Sequence, residues 1–193
     1  TLNVYTYNSN ATCTNSNNLA IQCCGTATTI VIDATVTTIK KGAFQNCKSV
    51  TSVDFSTATE LLSIGQYAFR GTDKLTAVDL NGATKLSTIG SYAFYRGGGL
   101  VSADLSGATS LATINTRAFN GNSKLETLKL ASSITKIDNT AFTQTKLDDP
   151  STVDFNGVDC AAVTKEAGAS KPFEFACPNI PTFPSTQATS SVA

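Results

Sequence analysis

One dipeptide, Ala-Phe, returns along this 193-residue chain at a fixed beat: Phe44, Phe69, Phe94, Phe119 and Phe142 each follow an alanine. The first three steps are 25 residues and the last is 23. The same apolar positions recur around each pair. One copy reads Leu75-x-x-Val78-x-Leu80, then Leu86-x-x-Ile89, then Ala93-Phe94. The next copy reads Leu100-x-x-Ala103-x-Leu105, Leu111-x-x-Ile114, Ala118-Phe119. Further copies begin at Leu125 and, with Val50-x-x-Val53-x-Phe55, at Val50. A unit this short cannot bury its own apolar side, so neighbouring copies must stack as coils around one continuous core.

Each copy reads physically as one coil. Val78-Asp79-Leu80 alternates apolar and polar, the period of a strand with one face buried. Leu86 to Ile89 reads as a second, shorter extended segment, and Gly90 to Gly97 as a single helical or 3₁₀ turn carrying the Ala-Phe pair. The five phenylalanines then form a spine. A cofactor-stacking role for these rings is the competing reading, but identical intervals along an array mark a core.

The L-x-x-L-x-L element is the signature of leucine-rich repeats. Where many such proteins place Asn or Cys after the strand, this chain has Ala58, Ala83 and Ala108, then Ser133. The extended segment and Ala-Phe pair that follow resemble the BspA-like leucine-rich-repeat family, over roughly residues 27–158. The resemblance implies a right-handed, curved leucine-rich-repeat solenoid, mainly β with short helical or 3₁₀ turns and disulfide-stabilised caps. It also implies a secreted or cell-surface protein that works by adhesion rather than catalysis. The family motif is structural and assigns no binding residues.

The exposed ends of such a stack need covering. The expected organisation is an N-terminal cap over residues 1–26, repeats over 27–159 in about five to six coils, a C-terminal cap over 160–180, and a Ser/Thr/Pro linker or tail over 181–193. The six cysteines lie towards the ends, and with no histidine present they suggest disulfides more than metal ligands. Cys24 lies 23 residues before Cys47, as Ile30 does before Val53. Residues one coil apart stack at about 4.8 Å, close to what a disulfide needs. The expected set is therefore Cys24–Cys47, Cys13–Cys23 and Cys160–Cys177, with other pairings open. Asn10-Ala11-Thr12 is a glycosylation sequon at Asn10. The absence of methionine suggests a processed chain whose signal peptide has been removed.

Composition narrows the function classes. Lys plus Arg and Asp plus Glu both number 14, so net charge gives no reason to expect nucleic acid. No apolar run approaches the roughly 18 residues that cross a bilayer, so membrane insertion is not expected. No histidine, nucleophile elbow or phosphate loop is present, so neither an enzyme nor a cofactor is expected. The feature above background is a column of outward residues, one per strand: Val31, Asp54, Asp79, Asp104, Lys129 and Asp154. Small polar residues flank it, Ser52 and Ser102 on one side and Asn81 on the other. Asp is disfavoured in strands. The plain reading is a solvated face on which Lys129 relieves Asp104 and Asp154. The sharper readings are a concave face that binds an extracellular protein or glycan, and calcium bridging Asp54, Asp79 and Asp104. The alternative function is a structural subunit of an extracellular filament or matrix, whose partner is a copy of itself.

Overall fold

The computed structural model describes residues 3–9, 23–147 and 150–158. In chain order its strands are β1 (Val4–Tyr7), β2 (Thr29–Ile32), β3 (Thr38–Ile39), β4 (Ser52–Asp54), β5 (Ser63–Ile64) and β6 (Ala77–Asp79). They continue as β7 (Thr88–Ile89), β8 (Ser102–Asp104), β9 (Thr113–Ile114), β10 (Thr127–Lys129), β11 (Lys136–Ile137) and β12 (Val153–Asp154). One 3₁₀ turn, Pro150–Thr152, precedes β12. The longer strands stack as β1-β2-β4 and β6-β8-β10-β12, and the two-residue strands as β3-β5-β7-β9-β11. Every pairing is parallel, so the chain winds as a β-solenoid.

The repeat sets the register. Ile39, Ile64, Ile89, Ile114 and Ile137 pair in one column. Val78, Leu80, Leu86, Ile89 and most of their equivalents in other coils are almost fully buried, while Val53 and Ile137 are partly buried. Ala58, Ala83 and Ala108 are buried too, where the coil turns after the long strand. The spine is continuous: Phe44, Phe69, Phe94, Phe119 and Phe142 are buried, and their rings stack at 5.0, 5.1, 4.9 and 5.1 Å. Tyr7, on a strand contributed by the expected N-terminal cap, closes it by meeting Phe44 edge-on at 5.2 Å.

Around the Ala-Phe pair, where a helical or 3₁₀ turn is expected, the backbone runs instead as linked turns. The N–H groups of Tyr67, Phe69 and Gly71 donate to the carbonyls of Ser91, Ala93 and Tyr95 at 3.1, 2.7 and 2.9 Å. Those of Tyr92, Phe94 and Arg96 reach Thr116, Ala118 and Asn120 in the same way. A helix would spend these donors inside one coil. Here they tie each coil to the next, which makes a third inter-coil ladder. The geometry places residues on either side of the phenylalanine in the left-handed region, with φ of 61° at Tyr67, 68° at Gly71, 59° at Tyr92 and 53° at Arg96.

Side chains add to the stitching. Thr57, Ser87, Thr109 and Thr135 donate hydroxyls to carbonyls of the preceding coil, those of Ile32, Leu62, Thr84 and Ala112. Much of the Thr and Ser content thus serves inter-coil bonding. Buried Asn122 does the same on the turn side, where its Nδ2 donates to Phe94 O at 2.8 Å and Phe119 O at 2.6 Å. Cys24 and Cys47 form the expected disulfide, with Cα atoms 6.0 Å apart. Cys23 is also disulfide-bonded. Its expected partner Cys13, the Cys160–Cys177 pair, Asn10 and residues 160–193 lie outside the described residues.

Regularity lapses once on the long-strand side. β4 and β6 are neighbours but share no ladder hydrogen bonds. Phe55 fills the inward slot held by Leu80, Leu105 and Leu130 in later coils, and its ring packs edge-on against Phe69 at 6.2 Å. Phe155 holds the same slot in the last coil, where β10 and β12 keep their ladder, so ring size alone does not part the strands.

Candidate binding face

The expected column exists. Val31 pairs with Asp54, Asp79 with Asp104, and Lys129 with both Asp104 and Asp154. The flanking residues align as well, with Thr29 opposite Ser52 and Ala77 opposite Ser102. Ser52 Oγ lies 3.0 Å from Thr29 Oγ1, so it is partly engaged within the sheet.

The aspartates have a local task that the column alone does not reveal. Each ends its strand, and its Oδ1 accepts the N–H two residues on: Ser56 at 2.8 Å for Asp54, Asn81 at 2.9 Å for Asp79, Ser106 at 3.1 Å for Asp104, and Asn156 at 2.9 Å for Asp154. This is the Asx turn, in which a short side chain stands in for a backbone carbonyl. It explains why a residue disfavoured in strands recurs here. The signal was present in the sequence as Asp-x-Ser or Asp-x-Asn at each strand end. Lys129 cannot make this bond, and its Nζ instead reaches Asp104 Oδ2 at 2.9 Å. The relief expected from Lys129 is thus directed at Asp104 rather than shared equally with Asp154.

Charge follows from these contacts. The Ser56 hydroxyl and backbone N–H hold the Asp54 carboxyl below the usual carboxylate range. For Asp104, burial pushes upward, but the Ser106 hydroxyl and Lys129 together outweigh it and the net direction is downward. Asp138, buried on the turn side, is also lowered; burial is opposed and exceeded by Thr140, Thr116 and Lys136. Lys129 is held above its usual value by its bond to Asp104. Because the three carboxyls titrate lower in the folded chain, the stability they add is complete above the ordinary value of about 3.9. It is lost as pH falls through the lower folded values. Urea midpoints should be level between neutral pH and about pH 5 and drop below about pH 4. Asp138→Asn should make that drop shallower, and an identical acid profile for this variant would contradict the assignment.

The parting of β4 and β6 makes a cleft of about 300 Å³ beside the column. Val53, Asp54, Phe55, Ser56, Asp79 and Asn81 line it. Two of the expected acidic residues and Asn81 are therefore brought together at one depression. Ser102, Asp104, Lys129 and Asp154 continue along the neighbouring strands. Among the described residues no three Cys, Asp or Glu side chains are arranged to hold a metal ion. Asp104, the third member of the calcium set, gives its second oxygen to Lys129. No described helix is long and apolar enough to cross a membrane.

Comparisons with known proteins agree with this architecture. Residues 14–148 match the BspA type leucine rich repeat region in six copies. Among solved structures, the pneumococcal vaccine antigen PcpA is similar at 22% identity over 86% of this chain, with a TM-score of 0.56. This chain spans 34% of that protein's length. A leucine-rich repeat protein from Bacteroides ovatus (23% identity, 72% of this chain and 40% of that one, TM-score 0.44) is also similar. So is the T. pallidum leucine rich repeat protein TpLRR (17% identity, 75% of this chain and 74% of that one, TM-score 0.43). No curated protein matches the sequence. Six repeat copies over most of the chain, wound as one parallel solenoid, make this protein a member of the BspA-type leucine-rich-repeat family.

Proposed function

We propose that the chain is an extracellular or cell-surface adhesion module that holds a protein or glycan partner on its long-strand face, centred on the cleft between Asp54 and Asp79. The cleft is the observation that carries this reading, because it is a built concavity where the sheet itself gives way. Its two carboxylates are oriented by their Asx turns before any partner arrives, which lowers the cost of ordering them on binding. Their chemistry suits a cationic group, such as a Lys or Arg side chain of a partner protein or the amino group of a sugar. Leucine-rich-repeat solenoids are typically non-catalytic protein-binding scaffolds, and family membership supports that coarser role. The Cys24–Cys47 disulfide fits a chain that matures in an oxidising compartment.

The test exploits the turn chemistry. Asp54→Asn with Asp79→Asn keeps both Asx acceptors and removes both charges, whereas Asp79→Lys would break a turn as well. Captured partners from an array of matrix proteins and glycans should bind this double variant at least about tenfold more weakly, with melting lowered only by the small share the Asp54 charge adds. Equal binding would reject the site.

A second reading is a self-assembling structural subunit. It is favoured by β1 and β12, each with a single neighbouring strand among the described residues. Light scattering after size exclusion separates the two, since self-assembly requires mass to grow with concentration.

A further inference from the structure

The turn side of the solenoid carries a second surface of opposite character. Two columns meet there. One runs Gly42, Tyr67, Tyr92, Arg117, and the next runs Gln45, Arg70, Tyr95, Asn120. The Tyr67 and Tyr92 rings lie 5.1 Å apart, and Tyr92 meets Tyr95 edge-on at 5.3 Å. Cations sit over these rings: Lys41 at 5.9 Å and Arg70 at 5.5 Å from Tyr67, Arg96 at 5.1 Å from Tyr95, and Arg117 at 5.8 Å from Tyr92. Arg70 also lies 5.7 Å from Tyr95, and Arg117 donates to the Tyr92 hydroxyl at 3.3 Å. Each of four successive coils contributes one cation to the row.

Three further observations set this patch apart from ordinary surface. First, the ion pairs among the described residues use Lys48, Lys85 and Lys129, and none uses Lys41, Arg70, Arg96 or Arg117. In a chain of zero net charge, this is a local excess of unneutralised positive charge. Asp138, the buried acid on this side, is held by Thr116 and Thr140.

Second, the backbone would prefer other residues. Tyr67, Tyr92, Arg96 and Arg117 all have positive φ (61°, 59°, 53° and 52°), a region that side chains disfavour. Gly42, Gly71 and Gly121 occupy the same two positions in other coils, at φ of 66°, 68° and 77°. Asn46 and Gln144 share the Arg96 column at φ of 58° and 59°, so the left-handed turn is common to the coils; in the Tyr67, Tyr92, Arg96 and Arg117 coils it carries ring or guanidinium side chains where glycine would fit at less cost. Strain retained for a side chain is a pointer to function.

Third, the backbone here is closed. The N–H groups of Tyr67, Tyr92 and Arg96 donate to carbonyls of the next coil. An extended peptide therefore finds no free edge to pair with, and a partner meets side chains only.

We propose that this Tyr–Arg patch binds a linear anionic polysaccharide lying along the solenoid axis. Its carboxylate or sulfate groups meet Lys41, Arg70, Arg96 and Arg117, and its sugar rings meet the edges and hydroxyls of Tyr67, Tyr92 and Tyr95. Four successive coils each contribute one cation, from four different repeat positions around the Tyr rings, so the patch offers several positive charges along the solenoid axis to a chain that carries many negative ones. Cation–π packing holds the guanidiniums in place beforehand, so less side-chain freedom is lost on binding. The site is distinct from the acidic cleft and needs a partner of the opposite sign.

The experiment measures binding of the full chain to heparin (sulfated), hyaluronan (carboxylate only) and dextran (neutral) at several salt concentrations. Binding to at least one of the charged polysaccharides, weakening steeply with salt, and none to dextran is expected. Which charged probe is preferred identifies the anion. Arg96→Gly with Arg117→Gly puts glycine where other coils already have it, so melting should be unchanged or raised while affinity falls about tenfold or more. Asp54→Asn with Asp79→Asn should bind polysaccharide like the parent, which separates this proposal from that for the cleft. Unchanged affinity in the glycine variant, or no binding to either charged polysaccharide, would overturn the proposal. Equal binding of poly-glutamate or single-stranded DNA of matched charge would also overturn it, by showing a surface that reads charge alone. So would concentration-dependent oligomers that the glycine variant abolishes, since the partner would then be a second copy.

Discussion

Phe94→Ala is expected to lower the free energy of unfolding by about 3–5 kcal/mol, the usual loss for a fully buried ring replaced by a methyl group. Phe94 sits mid-spine, stacked on Phe69 at 5.1 Å and on Phe119 at 4.9 Å, so its removal empties a slot with a ring on each side. Neighbouring rings cannot close that gap, because the Phe69 and Phe119 N–H groups are tied to the carbonyls of Ala93 and Ala141 in the next coils. In a stack where each coil touches only its neighbours, weakening a central interface should also divide the array. Urea unfolding followed by circular dichroism should therefore shift to lower urea and broaden or split. Phe142→Ala, at the last ring of the spine, should shift the curve without splitting it. A midpoint for Phe94→Ala within error of the parent would show that the ring is not core.

Breaking the Cys24–Cys47 disulfide should cost about 3 kcal/mol, from the loop of 23 residues that it closes in the unfolded chain. Cys24→Ala with Cys47→Ala keeps two small apolar groups at buried positions and so isolates the cross-link. The effect should be local in onset. Amide exchange in β2 and β3 should speed up first, while β7 and β9 stay protected until the global transition. Uniform acceleration along the solenoid would contradict the nearest-neighbour picture.

The parts of the fold legible in sequence were those that repeat. The Phe spine, the inward Leu and Ile columns, the strand register and the Cys24–Cys47 bond all follow from one rule: residues one coil apart touch. What escaped reading was set by backbone choices that a hydrophobic pattern does not record. The turns around Ala-Phe use left-handed residues on either side of the ring, and only Gly42, Gly71 and Gly121 hinted at them. The Asx turns are written as Asp54-x-Ser56 and Asp79-x-Asn81, but a charge pattern does not distinguish a solvated carboxylate from a turn acceptor. β1 escaped because it belongs to an atypical first coil, where Tyr7, in register with Ile32 on the strand side, covers the end of the spine at Phe44. The cleft could not be foreseen, since the parting of β4 from β6 leaves no mark in the hydrophobic pattern of the repeat. The Tyr–Arg patch was visible in the repeat columns once the turn geometry was known, and it was invisible while that stretch was taken as a helical turn.

The claim beneath all of this is that the chain is a stack of interchangeable coils, and changing the number of coils tests it most directly. Duplicating residues 75–99, one full coil of 25 residues, should give a protein that folds, keeps its parallel-strand circular dichroism signature and melts at or above the parent temperature. The same insertion with one residue deleted inside its copy of Val78–Leu80 should melt lower and expose hydrophobic surface to dye, because the inward and outward positions of that strand exchange. If both insertions behave alike, or if the full-coil duplication fails to fold, the stacked-coil account is contradicted.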